Sequence, residues 1–124
     1  MTPSSAARDL QGLVRAASLA PSSHNTQPWL LRLCGWSIEL LADRTRALPV
    51  NDPLDRELTI SCGCALLNLR IAAAAAGLQA DVEVLADEAE GDLLARVRLA
   101  RSPAPLSDAE FASAIAERRT CRER

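Results

Sequence analysis

Between Ala20 and Trp29 the chain reads Ala-Pro-Ser-Ser-His-Asn-Thr-Gln-Pro-Trp, crowding hydroxyl and amide side chains between two prolines. Pro21 and Pro28 hold φ near about −65° and push the residues before them out of helical space, so the loop they bracket is stiff. Ser22, Ser23, Asn25, Thr26 and Gln27 can each donate and accept hydrogen bonds, which suits a heterocycle whose edge alternates N–H and C=O groups. The same side chains could instead satisfy the backbone of their own turn, as Ser and Asn commonly do in loops. His24 is the only histidine. A lone histidine in a turn reads as a solvated or hydrogen-bonded bystander, and it is assigned no catalytic role. The catalytic residues are unassigned.

A second cluster lies at the end of the chain, Arg118-Arg119-Thr120-Cys121-Arg122. All 14 basic residues are arginines, so any anion must be met by guanidinium forks, whose geometry matches phosphate oxygens bidentately. Two plainer roles stay open for this cluster: complementing the dipole at a helix C-terminus, or forming a solvated tail. Cys34, Cys62, Cys64 and Cys121 form no CxxC pair and read as reduced thiols. Cys62 and Cys64 lie two apart in a predicted helix and point about 200° from one another, so they cannot share an ion, and no metal site is expected. No Ser/His/Asp or Cys/His spacing matches a nucleophilic signature.

The elements that must position these clusters follow from periodicity. Ala6, Leu10, Leu13, Val14 and Ala17 fall on one face of a helix from Ser5 to about Leu19, which leads into the loop. Trp29–Leu33 and Trp36–Leu41 read as two strands joined at Cys34-Gly35. Trp29 and Trp36 could lie beside a ligand or pack in the core. After an irregular stretch, Asp52-Pro53 looks like an N-cap and a first-turn proline, opening a helix of about 35 Å to Ala76 with Gly77 as its stop. Its face of Leu58, Cys62, Ala65, Leu66, Leu69, Ala72, Ala73 and Ala76 suits plain core or an interface equally. Gln79–Leu85 and Leu94–Leu99 suggest a second hairpin with one wet face, across an acidic turn from Asp87 to Asp92. Ser107-Asp108-Ala109-Glu110 is a capping box for a last helix through about Arg118.

At 124 residues, 48% hydrophobic and 24% charged, the chain suits one domain with a modest core. A net charge of −2 and three aromatic residues argue against nucleic-acid binding, which wants a basic field and stacking rings. No run approaches the ~20 apolar residues of a membrane span, since Asn68 and Arg70 interrupt the longest one. Without a signal-peptide pattern the default expectation is cytoplasmic.

The 20–29 stretch resembles the Pro-Ser-Ser-x-Asn-x-Gln-Pro-Trp signature of nitroreductase-like flavoproteins, and 118–122 resembles their Arg-Arg-Ser/Thr-x-Arg element. In ordinary members the Arg element precedes the Pro-Ser-Ser loop, whereas here it follows it. That order resembles the tandem, Acg-type proteins, in which the Arg element opens a second half. Asp43-Arg44-Thr45-Arg46, Asp52-Pro53-x-x-Arg56-Glu57-Leu58 and Ile60-Ser61-Cys62-Gly63-Cys64-Ala65-Leu66-x-Asn68-Leu69 match in the same order.

The resemblance implies an α+β fold, a nitroreductase-like half with helices packed on a mostly antiparallel sheet and incomplete without a second half or partner. Residues 1–103 would be the N-terminal half, and 104–124 a linker and the truncated start of the second. It implies FMN as cofactor, with Pro21, Ser22, Ser23, Asn25 and Gln27 lining the flavin ring and Arg118, Arg119, Thr120 and Arg122 approaching the phosphate. The implied activity passes electrons from NAD(P)H through flavin to a nitroaromatic or quinone-like small molecule. A non-catalytic flavin-binding or flavin-sequestering protein, or a structural half needing a partner, is the alternative. The implied association is a homodimer or a complex with a second nitroreductase-like half.

Overall fold

The computed structural model describes residues 5–85, 91–102 and 106–120, with side chains from Asp9 onward. Its elements are α1 (Ser5–Ala17), β1 (Trp29–Cys34), β2 (Ser37–Ala42), α2 (Arg56–Ala75), β3 (Leu78–Val84), β4 (Leu93–Arg101) and α3 (Ala112–Glu117). Short 3-10 turns occupy Ser23–Asn25, Arg44–Arg46 and Ser107–Phe111. The four strands form one antiparallel sheet in the order β1-β2-β4-β3. The expected α+β architecture and both hairpins are therefore present.

The alternation of the strands fixes what lies where, because neighbouring residues on a strand point to opposite faces. Ile38 pairs with Val97 and Leu40 with Ala95, and all four are buried. They form one core with Leu58, Cys62, Ala65, Leu69 and Ala73 of α2 and Leu10, Leu13 and Ala17 of α1. Asn68, 9% exposed in the middle of α2, donates from Nδ2 to the Ala16 carbonyl of α1 at 3.0 Å, which satisfies its buried amide.

The other face carries a row of alternating charge across all four strands. Register places Arg32 opposite Glu39, Glu39 opposite Arg96, and Arg96 opposite Glu83. Arg32 Nε lies 2.7 Å and Arg96 Nη2 3.1 Å from the two oxygens of Glu39, and Arg96 and Arg98 share Glu83 at 3.7 and 3.6 Å. Hydrogen bonds from Arg32 and then from Cys34 hold the Glu39 carboxyl down at about 2, while the same carboxylate pushes the Cys34 thiol up.

Four expectations are corrected. First, α2 begins at Arg56 rather than at Pro53, because Asp55 adopts a left-handed conformation (φ 56°) and its side chain makes no capping bond. Asp52 instead reaches past it, and its Oδ2 accepts from the Leu58 N–H at 3.0 Å. The helix is thus 20 residues long, about 30 Å, ending before Gly77 at φ +75° as expected. Second, α2 is long and apolar enough by length and composition to cross a bilayer, so Asn68 and Arg70 do not disqualify the run; in the fold it serves as the core helix. Third, the capping box at Ser107 does not form, since that segment is a 3-10 turn capped at Leu106 without a side-chain bond and α3 spans six residues, with Arg118 already extended (φ −57°, ψ 136°). Fourth, the joint of the first hairpin lies at Gly35-Trp36, one residue later than expected. Of the acidic turn expected from Asp87 to Asp92, residues 87–90 fall outside the described residues, as do 103–105.

Two outcomes test this packing. Leu69→Ala, at a position with no exposed surface, should cost about 2–5 kcal/mol in urea unfolding with the m-value unchanged. Because the folded carboxyl of Glu39 sits below its ordinary 4.5 at about 2, its contribution is complete above pH 4.5 and is lost as pH falls through 2. Glu39→Gln should therefore be less stable than the parent near neutrality, with the gap closing across that acid window in pH-dependent thermal melts.

Candidate functional site

The polar loop is wound tightly by its own backbone. The Asn25 N–H donates to the Ser22 carbonyl and the Thr26 N–H to the Ser23 carbonyl, each at 3.1 Å, and Thr26 Oγ1 donates to Ser23 O at 3.0 Å. His24, Asn25 and Gln27 all take positive φ, at 51°, 53° and 49°. Left-handed backbone costs an ordinary side chain roughly 1–2 kcal/mol, less for Asn. Three non-glycine residues in that region within four positions mark a segment whose shape is imposed by its surroundings.

Those surroundings are the helix ends and the hairpin. Ser22 Oγ accepts from the Gln27 N–H at 3.0 Å and closes the turn across its mouth. Ser23 is held by α2: its N–H donates to Ser61 Oγ at 3.3 Å and its Oγ to Glu57 Oε2 at 2.8 Å. Arg46 donates from Nη1 to the Thr26 carbonyl at 3.1 Å and lies 3.4 Å from Asp43. A hydrogen bond from Thr45 Oγ1, more than the neighbouring Arg46, lowers the Asp43 carboxyl from its ordinary value. Arg44 bridges Asp55 at 2.7 Å and Asp92 at 3.1 Å, tying this segment to the foot of α2 and to β4. Cys62, whose burial pushes its thiol up to about 11, donates Sγ–H to the Pro28 carbonyl at 3.4 Å.

The loop side chains proposed from sequence divide into used and unused groups. The Ser23 hydroxyl is committed to Glu57, and the exposed Gln27 amide reaches Ser18 O only at 3.4 Å. Ser22 accepts through its oxygen, which leaves its O–H available to donate. The Asn25 amide is exposed and makes no hydrogen bond among the described residues. Pro21 is half-buried at the loop's start. His24 Nε2 lies 3.4 Å from Asn51 Nδ2.

From the far end of the chain, Arg118 Nη2 donates to the Leu19 carbonyl at 3.2 Å, two residues before Pro21, and its Nη1 to Thr120 Oγ1 at 2.9 Å. Thus Arg118 reaches the backbone just before the loop and carries Thr120 with it. Arg119 is exposed and, with Arg118, lines a cavity of about 680 Å³ between α2 and α3, together with Leu67, Ile71, Phe111 and Ile115. Arg122 and Cys121 lie outside the described residues. The smaller hollows of about 240 and 410 Å³ flank the loop, one lined by Ser18, Gln27, Trp29 and Arg46, the other by Asn51, Arg56 and Glu57. Sequence reasoning missed Glu57, Ser61 and Arg46 as partners of the loop, since nothing local marks a contact made from 20 to 38 residues away. Among the described residues no cluster of His, Cys, Asp and Glu could hold a metal ion.

No family model matches the chain. Two proteins of Mycobacterium tuberculosis strain H37Rv that carry the name "Putative NAD(P)H nitroreductase" are similar to it. Rv3131 is 38% identical over 116 residues, 94% of this chain and 34% of the relative; acg is 39% identical over 74 residues, 60% of this chain and 22% of the relative. The chain thus spans about a third of the length of the first of these. Among solved structures, the nitroreductase CinD from Lactococcus lactis in complex with 4-nitrophenol superposes with a TM-score of 0.65 at 16% identity, covering 88% of each chain. That likeness places this chain in the same fold.

The strain in the loop predicts an inverted response to glycine. Gln27→Gly should leave stability unchanged or raise it by up to about 1 kcal/mol in urea unfolding, because glycine takes positive φ without penalty. A loss of more than that would mean the glutamine side chain holds the loop more strongly than its 3.4 Å contact indicates.

Proposed function

We propose that this chain, which belongs to the nitroreductase-like family, is one half of an FMN-dependent oxidoreductase that takes electrons from NAD(P)H and delivers them to a nitroaromatic or quinone-like acceptor. What carries the reading is the strained loop, which leaves the Ser22 O–H donor and the Asn25 amide available on a stiff turn. The donor set fits a flavin. A ring edge of alternating N–H and C=O groups can be read by a hydroxyl donor, an amide that donates and accepts, and the Gln27 amide, all within six residues. Arg118, Arg119 and Thr120, with Arg122 beyond the described residues, would hold the phosphate through charge-assisted bonds.

When bound, FMN supplies the hydride chemistry, and the protein supplies position and electrostatics. Pro21 and Pro28 limit the loop's freedom, so little order has to be gained on binding. Ser22, Asn25 and Gln27 orient the ring edge. Arg46, exposed beside Thr26 and only loosely held by Asp43, adds positive charge near the loop. The catalytic residues stay unassigned, since orienting groups suffice where the cofactor does the chemistry.

The reading includes a partner. Val50, Leu54, Ile60, Leu67 and Phe111 are all more than half exposed, and apolar surface of that kind is usually covered by association. A second nitroreductase-like unit, either a second copy or the remainder of a longer tandem chain, is the occupant that matches a chain spanning a third of its relative. Residues 1–103 then form the first half and 104–124 the passage into the second, and the protein works in the cytoplasm on a small-molecule substrate.

The test is the visible spectrum of the purified chain after incubation with FMN and desalting. Retained flavin absorbance, bleached by NAD(P)H and restored by a nitroaromatic, is the expected result. Retained flavin without bleaching would leave a flavin-sequestering protein. A colourless protein under saturating FMN would defeat the enzyme reading for this chain and leave a structural half that needs its partner.

A further inference from the structure

Ser23 is gripped on two sides by residues of α2 that no part of the flavin reading requires. Its N–H donates to Ser61 Oγ at 3.3 Å, and its hydroxyl donates to Glu57 Oε2 at 2.8 Å. Ser61 is itself fixed, since it is 4% exposed and its hydroxyl donates to the Glu57 carbonyl at 2.8 Å, one turn back along the helix. One residue, Glu57, therefore meets the loop twice: directly through its carboxylate, and through Ser61 by its backbone carbonyl. Glu57 also stands in the first turn of α2, where the helix dipole favours a negative charge. A charged acceptor makes the stronger kind of hydrogen bond.

We infer that Glu57 is a positioning residue: by clamping Ser23 to the foot of α2 it sets the left-handed turn that aims Ser22 and Asn25 at the ligand. Ser23 itself is the bracket rather than a flavin contact, because its only hydroxyl proton is committed. The other groups that reach this turn are Ser61 Oγ on the Ser23 N–H and Arg46 on the Thr26 carbonyl, and neither takes the Ser23 hydroxyl. Residues 24, 25 and 27 sit in backbone conformations that their own side chains disfavour. If Ser23 is released, the turn can relax towards ordinary backbone angles, and the Asn25 and Gln27 N–H bonds open with it. Ser22 would lose its Gln27 N–H partner in the same movement. The inference rests on the flavin reading for what the loop holds, but not for what holds the loop.

The experiment compares Glu57→Ala, Glu57→Gln, Ser23→Ala and the Glu57→Ala/Ser23→Ala pair in the full chain. The first readout is amide hydrogen exchange without ligand, using Ile38 and Val97 in the buried sheet as internal references. Glu57→Ala and Ser23→Ala should each speed exchange at Asn25, Thr26 and Gln27 by about tenfold or more, with the references unchanged. The pair should do no more than either alone, because both remove one bond. Glu57→Gln, whose amide oxygen still accepts, should restore most of the protection. The second readout is FMN affinity from fluorescence titration, which should weaken by about tenfold in Glu57→Ala and recover in Glu57→Gln. Unaltered loop exchange in Glu57→Ala overturns the clamp. Faster exchange with unchanged FMN affinity overturns its role in positioning the site. A parent chain that binds no FMN defeats the proposed function and the flavin part of this inference, recognisable because the parent itself fails; the exchange comparison still decides whether Glu57 holds the loop.

Discussion

Pro28 closes the polar loop with a carbonyl that is used twice, by the Asp43 N–H at 2.9 Å and by Cys62 Sγ at 3.4 Å. Through that one oxygen the start of β1 is tied both to the end of β2 and to the middle of the core helix. At the other end of the loop Ser23 is tied to the foot of the same helix. Between the two anchors lie four residues, three of them at positive φ. Such a turn persists only when both ends are held, because each left-handed residue would otherwise return to the broad region that its Cβ prefers.

Everything else in the fold makes α2 rigid enough to serve as that anchor. Its apolar face is buried against β2, β4 and α1, and Asp52 and Asn68 satisfy polar groups at its start and at its middle. The charge ladder on the far face of the sheet adds cross-strand pairs that hold register without a second apolar layer. Arg44 then ties the 3-10 turn after β2 to Asp55 and Asp92, with Asp92 raising its basicity further. The loop is therefore seated on a platform of helix, hairpin and ion pairs, and its unspent polar groups are preorganised by it.

Periodicity carried the elements, because α1, both hairpins and the body of α2 each have a regular apolar repeat. Local motifs did less well where a distant group had taken the same atoms. Asp52-Pro53 has the form of a cap and first-turn proline, yet the Asp52 carboxylate caps the Leu58 N–H from four positions before the first helical residue. Ser107 and Glu110 have capping-box spacing, but the 3-10 turn that forms there leaves the box unmade. The stiffness and polar content of the 20–29 loop were legible from its composition, and its supports were not. Glu57 and Ser61 stand 34 and 38 residues from Ser23, and Arg118 stands 99 residues from Leu19. Such pairings depend on how the sheet and α2 meet, and no local pattern encodes that.

The central claim is that the anchored loop is the ligand-facing surface. It is tested most directly by following backbone amide resonances of the labelled chain as FMN is added. The account predicts shifts concentrated at residues 22–27, with Arg118 and Thr120 moving alongside and the charge ladder at Glu39 and Arg96 still. Shifts confined to Leu67, Ile71 and Phe111 in the groove between α2 and α3, with the loop unmoved, would contradict it.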